Sequence, residues 1–183
     1  GGSSLTNKEK ARNNATFVDN LQSQGVIILG KTHMTELAFS GLGLNPITAT
    51  PTNPFNEELV SGGSSSGSAV SVSRNYCFAS IGSDTGGSVR IPAAWNNLVG
   101  LKTTHNLIDL NGVLKLCPSF DTLGPICRNV GDTNLLFNGM INGKPQKLRK
   151  YRPENFKFLI IKNMFFEGID GDINDSFNVT IDK

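Results

Sequence analysis

Three observations in this chain of 183 residues predict an α/β architecture. First, an amphipathic helix over residues 15–24, with Phe17, Val18 and Leu21 on one face, is separated by the single Gly25 from the apolar run Val26, Ile27, Ile28, Leu29. Second, residues 77–82 form another strand pattern, directly after a stretch of small residues suited to a tightly packed helix. Third, Phe156-Lys157-Phe158-Leu159-Ile160-Ile161 is the strongest strand signal in the chain. A helical period next to short, β-branched runs bounded by glycine describes helices laid on buried strands.

Composition narrows the class. With 38% hydrophobic and 17% charged residues, the chain is ordinary globular material able to bury a core. A net charge of +2 argues against nucleic acid or an anionic membrane surface as a direct partner. The basic clusters Lys8, Lys10, Arg12 and Lys144, Lys147, Arg149, Lys150, Arg152 read as solvated faces. Cys77, Cys117 and Cys127 are odd in number and make no C-x-x-C pair, which excludes a disulfide framework or a zinc site and suggests reduced thiols. No metal or cofactor is expected, and no stretch approaches the ~20 apolar residues of a membrane span. Gly1-Gly2-Ser3-Ser4 leads into polar sequence unlike a signal peptide. The expectation is a cytoplasmic protein with no membrane association. The absence of an initiator Met, and an end inside structured sequence at Ile181-Asp182-Lys183, suggest a partial domain over residues 1–183, truncated at both ends.

In chain order, Gly25 closes the first helix as a C-cap and Gly30 ends the first strand. A short helix is expected over residues 34–39, then a loop over 40–61 rich in Asn and carrying Pro46, Pro51 and Pro54. Residues 69–73 belong to the small-residue helix. Residues 84–88 read as a turn, 90–95 as a short helix interrupted by Pro92, and 98–101 as a third short strand. An amphipathic helix is predicted over 132–140 with Asp132 as N-cap, and a last helix over 170–182.

Two serine-glycine motifs carry the chemistry. Gly62-Gly63-Ser64-Ser65-Ser66-Gly67-Ser68 has the composition of a flexible linker, but packing segments flank it on both sides. It lacks the lysine of a phosphate loop. Gly63-Ser64-Ser65-Ser66-Gly67 also fits G-x-S-x-G, with Asp84 and His105 following in hydrolase order, yet no good strand precedes it and the three candidates are crowded into some forty residues. In the second motif, Gly86-Gly87 ahead of Ser88 lets the backbone approach a ligand and aim successive N–H groups at an anion. That is what an oxyanion hole beside a nucleophile requires. A plain strand-to-helix turn, with Asp84 and Arg90 pairing across it, explains the same residues equally well.

Together the motifs resemble the amidase signature family. The Gly62–Ser68 run, then Gly82-Ser83-Asp84-Thr85-Gly86-Gly87-Ser88-Val89-Arg90-Ile91-Pro92-Ala93-Ala94 and Gly100-Leu101-Lys102, carry the resemblance, centred on residues 55–105. Gly30-Lys31-Thr32-His33-Met34-Thr35-Glu36, Ser119-Phe120-Asp121-Thr122-Leu123-Gly124-Pro125-Ile126 and Phe165-Phe166-Glu167-Gly168 extend it outward. The resemblance implies part of a fold with a mixed β-sheet core covered by helices. It implies a Ser–Ser–Lys triad in which Ser88 is the nucleophile and Ser64 the bridging serine, with a cis peptide at Gly63–Ser64. The N–H groups of Thr85, Gly86, Gly87 and Ser88 would form the oxyanion hole. The catalytic lysine would lie ahead of Gly1, outside this chain; Lys31 matches a different motif, and His33 and His105 take no part.

The implied activity is hydrolysis of a carboxamide C–N bond through an acyl-enzyme, on a small-molecule amide. The alternative is the glutaminase-like A subunit of a tRNA-dependent amidotransferase, working with partner subunits; a homodimer fits the stand-alone enzyme. Pro118-Ser119-Phe120-Asp121-Thr122-Leu123 favours the general amidases. A non-enzymatic binding module would keep the fold without the lysine. Alone, the chain is expected to lack a complete active site and to be inactive.

Overall fold

The computed structural model describes residues 1–6, 9–141 and 151–182. Lys8, Lys144, Lys147, Arg149 and Lys150 of the basic clusters lie outside the described residues. Lys10, Arg12 and Arg152 are exposed, as expected of solvated charge. The chain divides into two units, Gly1–Leu148 and Arg149–Lys183.

The first unit is built on a three-stranded sheet of β1 (Ala79–Asp84), β2 (Val99–Gly100) and β3 (Thr122–Cys127), in the order β1-β3-β2. Both pairings are antiparallel, with Asp84 opposite Thr122, Gly82 opposite Gly124 and Ala79 opposite Cys127. Every residue of β3 is buried. This central strand was not expected from sequence. Gly124 and Pro125 are residues that strands avoid, and proline gives the ladder no N–H. Here the Pro125 carbonyl still accepts the Leu101 N–H at 3.1 Å.

Helix α1 (Thr16–Ser23) presents Phe17 and Leu21 inward, and Leu21 sits in a core with Ile108, Leu123, Met140 and Ile141. Gly25, at φ +86°, turns the chain out of the helix in the left-handed conformation that glycine adopts freely. Helix α2 (Ser66–Ser73) is short, small-residued and buried along its length except for Ser71 and Ser73. Its Ala69 packs with Val89, Ala93 and Ile126 in a second core, and its Ser68 hydroxyl donates to the Ile81 carbonyl of β1 at 2.9 Å. Helix α3 (Arg90–Trp95) is not interrupted by Pro92. That residue falls in the first turn, where a helix makes no use of its N–H groups.

Helix α4 (Val130–Met140) starts two residues earlier than expected, and its N-cap is Asn129 rather than Asp132. The Asn129 side chain accepts the Asp132 N–H at 2.8 Å and donates to the Asp132 carboxylate at 2.8 Å, so Asp132 is the reciprocal partner of the cap. Residues 34–39 form only a 3-10 turn at Glu36–Ala38, within which Leu37 and Ala38 take φ of 50° and 61°. The 40–61 loop is held by buried asparagines. Asn45 donates to the Gly2 and Met34 carbonyls, Asn53 to those of Val60 and Trp95, and Asn96 of the following segment reaches Ser61.

Two predicted strands are not strands. Residues 26–29 and 156–161 are in no ladder, and their side chains are largely exposed: Ile27 is 82% and Leu159 94% accessible. An extended apolar run becomes a strand only beside another strand that takes up its backbone N–H and C=O groups. Among the described residues neither run has one. The second unit carries a 3-10 turn at Pro153–Asn155, helix α5 (Lys162–Phe165) and helix α6 (Gly171–Ile181). Asp170 caps α6 by accepting the Asp172 N–H at 2.9 Å, and Phe166 meets Phe177 edge-on at 5.0 Å. The three cysteines are free, with the buried Cys127 thiol pushed up to about 11 chiefly by burial. No helix among the described residues is long and apolar enough to cross a membrane.

Candidate active site

The second serine-glycine motif is the turn between β1 and α3, and Asp84 organises it. This wholly buried carboxylate accepts the Gly87 N–H at 2.8 Å on Oδ1, and the N–H groups of Val89 and Arg90 on Oδ2 at 3.2 and 3.4 Å. The Arg90 guanidinium closes on it from the solvent side through Nε and Nη2, both at 3.0 Å. Burial works to raise the Asp84 carboxyl, but the hydrogen bonds from Arg90, Val89 and Gly87 and the Arg90 charge hold it below the usual value. Its own carbonyl accepts from the Thr122 hydroxyl at 2.8 Å and from Lys102 Nζ at 3.1 Å. Ser88 is therefore displayed, half-buried, on a turn fixed at its base.

The expected donors of the oxyanion hole separate into two kinds. The Gly87 N–H is committed to Asp84, whereas those of Thr85, Gly86 and Ser88 have no backbone or side-chain acceptor among the described residues. Gly87 sits at φ +139°, open only to glycine, and a Cβ there would meet Ile91 Cδ1 at 2.8 Å. At Gly86 nothing lies within 4 Å of the Cβ position, and the residue is exposed. The open side of the turn is at Gly86.

The first motif is a buried band against this turn. Ser64 is wholly buried, follows a cis Gly63–Ser64 peptide, and its carbonyl accepts the Thr35 N–H at 3.0 Å. The next residue ties the two motifs together, since the Ser65 N–H donates to the Ser88 carbonyl at 3.1 Å. Gly62 and Gly63 donate to the Leu42 and Gly41 carbonyls, and Gly67 to that of His33. The Ser64 hydroxyl has no hydrogen-bond partner among the described residues, although buried hydroxyls ordinarily have one. No lysine or histidine among the described residues hydrogen-bonds to it. Lys31 is exposed. Lys102 donates to Asp84 O, Thr122 Oγ1 and Phe120 O at 3.1, 3.0 and 3.3 Å, which occupies all three ammonium protons in bracing the turn. His33 is exposed, and the His105 Nδ1 lies 3.3 Å from the Asp121 carbonyl.

Sequence reasoning assigned no role to Asp121, which the sheet brings against the turn: its Oδ1 accepts the Thr85 hydroxyl at 2.5 Å. Beside the Ser64 band lies an apolar cleft of about 550 Å³, lined by Thr35, Leu37, Phe39, Leu44, Pro46 and Leu116 among others. Among the described residues no cluster of His, Cys, Asp and Glu could hold a metal ion.

Comparison with known proteins agrees with the motifs. A family model described as Amidase matches residues 1–162. The A subunit of the glutamyl-tRNA(Gln) amidotransferase of Desulfotalea psychrophila is 40% identical over 185 residues, covering 94% of this chain and 38% of that protein. Among solved structures, an amidase family protein from Bacillus anthracis superposes with a TM-score of 0.73 at 33% identity, over 78% of this chain and 30% of its own. The A subunit of the Thermotoga maritima glutamyl-tRNA(Gln) amidotransferase does so at 0.72 and 36% identity, over 78% and 31%. The chain thus spans under two-fifths of the length of these relatives.

Proposed function

The chain belongs to the amidase family, and on that premise we propose that Ser88 is the nucleophile of an amide hydrolase, with Ser64 relaying its proton. The observation that carries this reading is the pairing of a displayed serine with a buried, unpartnered one. Ser88 stands on a braced turn beside free N–H groups, and Ser64 is secluded one residue from the bond that joins the two motifs. A serine hydroxyl needs a base within reach to attack a carbonyl. The Ser64 hydroxyl, with no other partner among the described residues, can accept from Ser88 and donate onward. The base that completes the route is a lysine outside these 183 residues; a neutral lysine serves when burial lowers its affinity for a proton.

In this mechanism the Ser88 oxygen attacks the carboxamide carbon while its proton moves to Ser64 and from Ser64 to the lysine. The oxyanion that forms is met by the N–H groups of Thr85, Gly86 and Ser88 over the open side of the turn. Collapse breaks the C–N bond as the proton returns to the departing nitrogen, leaving an acyl-Ser88 that water hydrolyses. The substrate is a small-molecule amide, and the enzyme is a cytoplasmic protein of which residues 1–183 form part of one domain.

One observation favours a second reading. The D. psychrophila relative, at 40% identity, bears the name of an amidotransferase component. In that reading the amide is the side chain of glutamine, and the released ammonia passes to a partner subunit. The test uses the full-length protein and a fluorophosphonate probe. Wild type is expected to be labelled and to release ammonia from an amide, and Ser88→Ala to do neither; labelling of the variant at the wild-type rate would overturn the assignment. Turnover of glutamine but not of aryl or alkyl amides would select the second reading.

A further inference from the structure

Asp84 braces one half of the nucleophile turn, from Gly87 to Arg90. The other half, Thr85 and Gly86, carries two of the three free N–H donors and must be held by something else. The β1–β3 pairing stops at Asp84, opposite Thr122, so the sheet does not hold it. Gly86 is exposed, next to a second glycine, and has nothing within 4 Å of its Cβ position. A Gly-Gly pair has the widest backbone freedom of any dipeptide. Among the described residues, the hydrogen bond from the Thr85 hydroxyl to Asp121 is the one side-chain tether on this half.

Asp121 is equipped to be a rigid anchor. Its side chain is buried, and while Oδ1 takes the Thr85 hydroxyl, Oδ2 accepts the N–H groups of Leu116 and Cys117, both at 2.9 Å. Its own N–H donates to the Cys117 carbonyl at 2.9 Å. The neighbouring carbonyl of Phe120 and the hydroxyl of Thr122 both receive Lys102 Nζ. The carboxylate is thus fixed by backbone on one side and presented to Thr85 on the other.

We propose that Asp121 is a positioning residue for amide hydrolysis. Gripping the Thr85 hydroxyl, it fixes the direction of the Thr85 and Gly86 N–H groups toward the oxyanion formed at Ser88. The proposal rests on the assignment of Ser88 as nucleophile. Asp121 touches no substrate atom and acts only through Thr85, so its effect belongs to the transition state and should fall on kcat rather than on KM.

The test is steady-state kinetics of the full-length protein on an amide that it turns over. Thr85→Val removes the hydroxyl, nearly preserves shape and leaves the Asp121 grip on Leu116 and Cys117 untouched. It is expected to lower kcat by about 30- to 100-fold with KM within about threefold, the scale for a misdirected oxyanion donor. Asp121→Ala should do the same, and the double variant should be no worse than about twice the poorer single one, because both remove one interaction. Asp121→Asn should recover to within about fivefold of wild type, since its Oδ1 can accept the two N–H groups while Nδ2 donates to Thr85. A Thr85→Val enzyme with kcat within about twofold of wild type overturns the proposal, as do losses that multiply in the double variant. Should Asp121→Ala fail to fold, Thr85→Val and Asp121→Asn decide the matter. Fluorophosphonate labelling separates the two levels: loss of label in Ser88→Ala sustains the nucleophile even where Thr85→Val refutes the role of Asp121, while label retained in Ser88→Ala removes the ground for both.

Discussion

Asp84 concentrates more of the site's architecture than any other residue, because one buried carboxylate replaces the hydration that three backbone N–H groups and a guanidinium would otherwise need. Asp84→Asn should destabilise the protein by about 2–3 kcal/mol at neutral pH, the half-exposed Arg90 keeping this below the cost of breaking a wholly buried pair. The sign of its pH dependence follows from the lowered folded-state value. The contribution is complete above the unfolded carboxylate value of about 3.9 and is lost as pH falls through the lower folded one. In urea denaturation, the gap between wild type and Asp84→Asn should therefore be constant from neutral pH down to about 5 and shrink below about 4. A gap that widens on acidification would refute this account. The link between Asp84, Ser88 and Arg90 was legible in the sequence because all three lie within one turn. The structural reading is observed, since the ion pair holds the serine's turn, and the proposed nucleophile would use that same turn as its mount. Asp121 was not legible. It stands 36 residues from Thr85 in the chain, and only the β1–β3 register brings the two together.

At the scale of elements, helix caps and close approaches decide more than periodicity does. Asn129→Ala removes both halves of the α4 cap and should cost about 1 kcal/mol, measured as a lowered unfolding midpoint with activity of the full-length protein retained. Gly82→Ala should behave differently. A Cβ there would press on the Ser65 side chain, with Ser65 Cβ at 2.8 Å, and Ser65 is the residue that joins the Ser64 band to Ser88. The expected result is a loss of about 1–3 kcal/mol together with a fall in Ser88 labelling by fluorophosphonate; a variant that keeps full labelling would contradict that joint. The helices were readable because each carries its signal within itself. β3 was hidden because Gly124 and Pro125 suit it only as the middle of this particular sheet, where Gly124 faces Gly82. The runs 26–29 and 156–161 failed in the opposite sense: their composition is that of strands, but pairing belongs to the partner as much as to the sequence.

At the scale of the molecule, those two runs are its least satisfied feature. Residues 26–29 expose four aliphatic side chains in a row, and residues 156–161 expose aromatic and aliphatic ones around Lys157, the composition that invites edge pairing and aggregation. The 183-residue chain expressed by itself should bind an apolar dye strongly and self-associate at micromolar concentration. Paired Lys substitutions at Ile27 and Leu159 should suppress both, and a monodisperse wild-type chain with no dye binding would argue that other contacts cover these runs. The family could be read from motifs, and the proposed roles of Ser88 and Ser64 start from the same residues. The exposure of these runs could not be read there, because pairing depends on what lies beside them in space.

The Ser64 band has a consequence for what the sequence can become. Residues 61–70 are buried without a break, and the run includes three secluded hydroxyls, those of Ser61, Ser64 and Ser66, that have no partner among the described residues. Where every position is enclosed, added volume has nowhere to go: a Cβ at Gly63 would meet Gly43 N at 2.7 Å, and one at Gly67 would meet His33 N at 2.6 Å. Saturation mutagenesis across the segment should return an alphabet of little beyond glycine, alanine, serine and, at Val70, the smaller aliphatics. This stretch is the part of the molecule least free to drift.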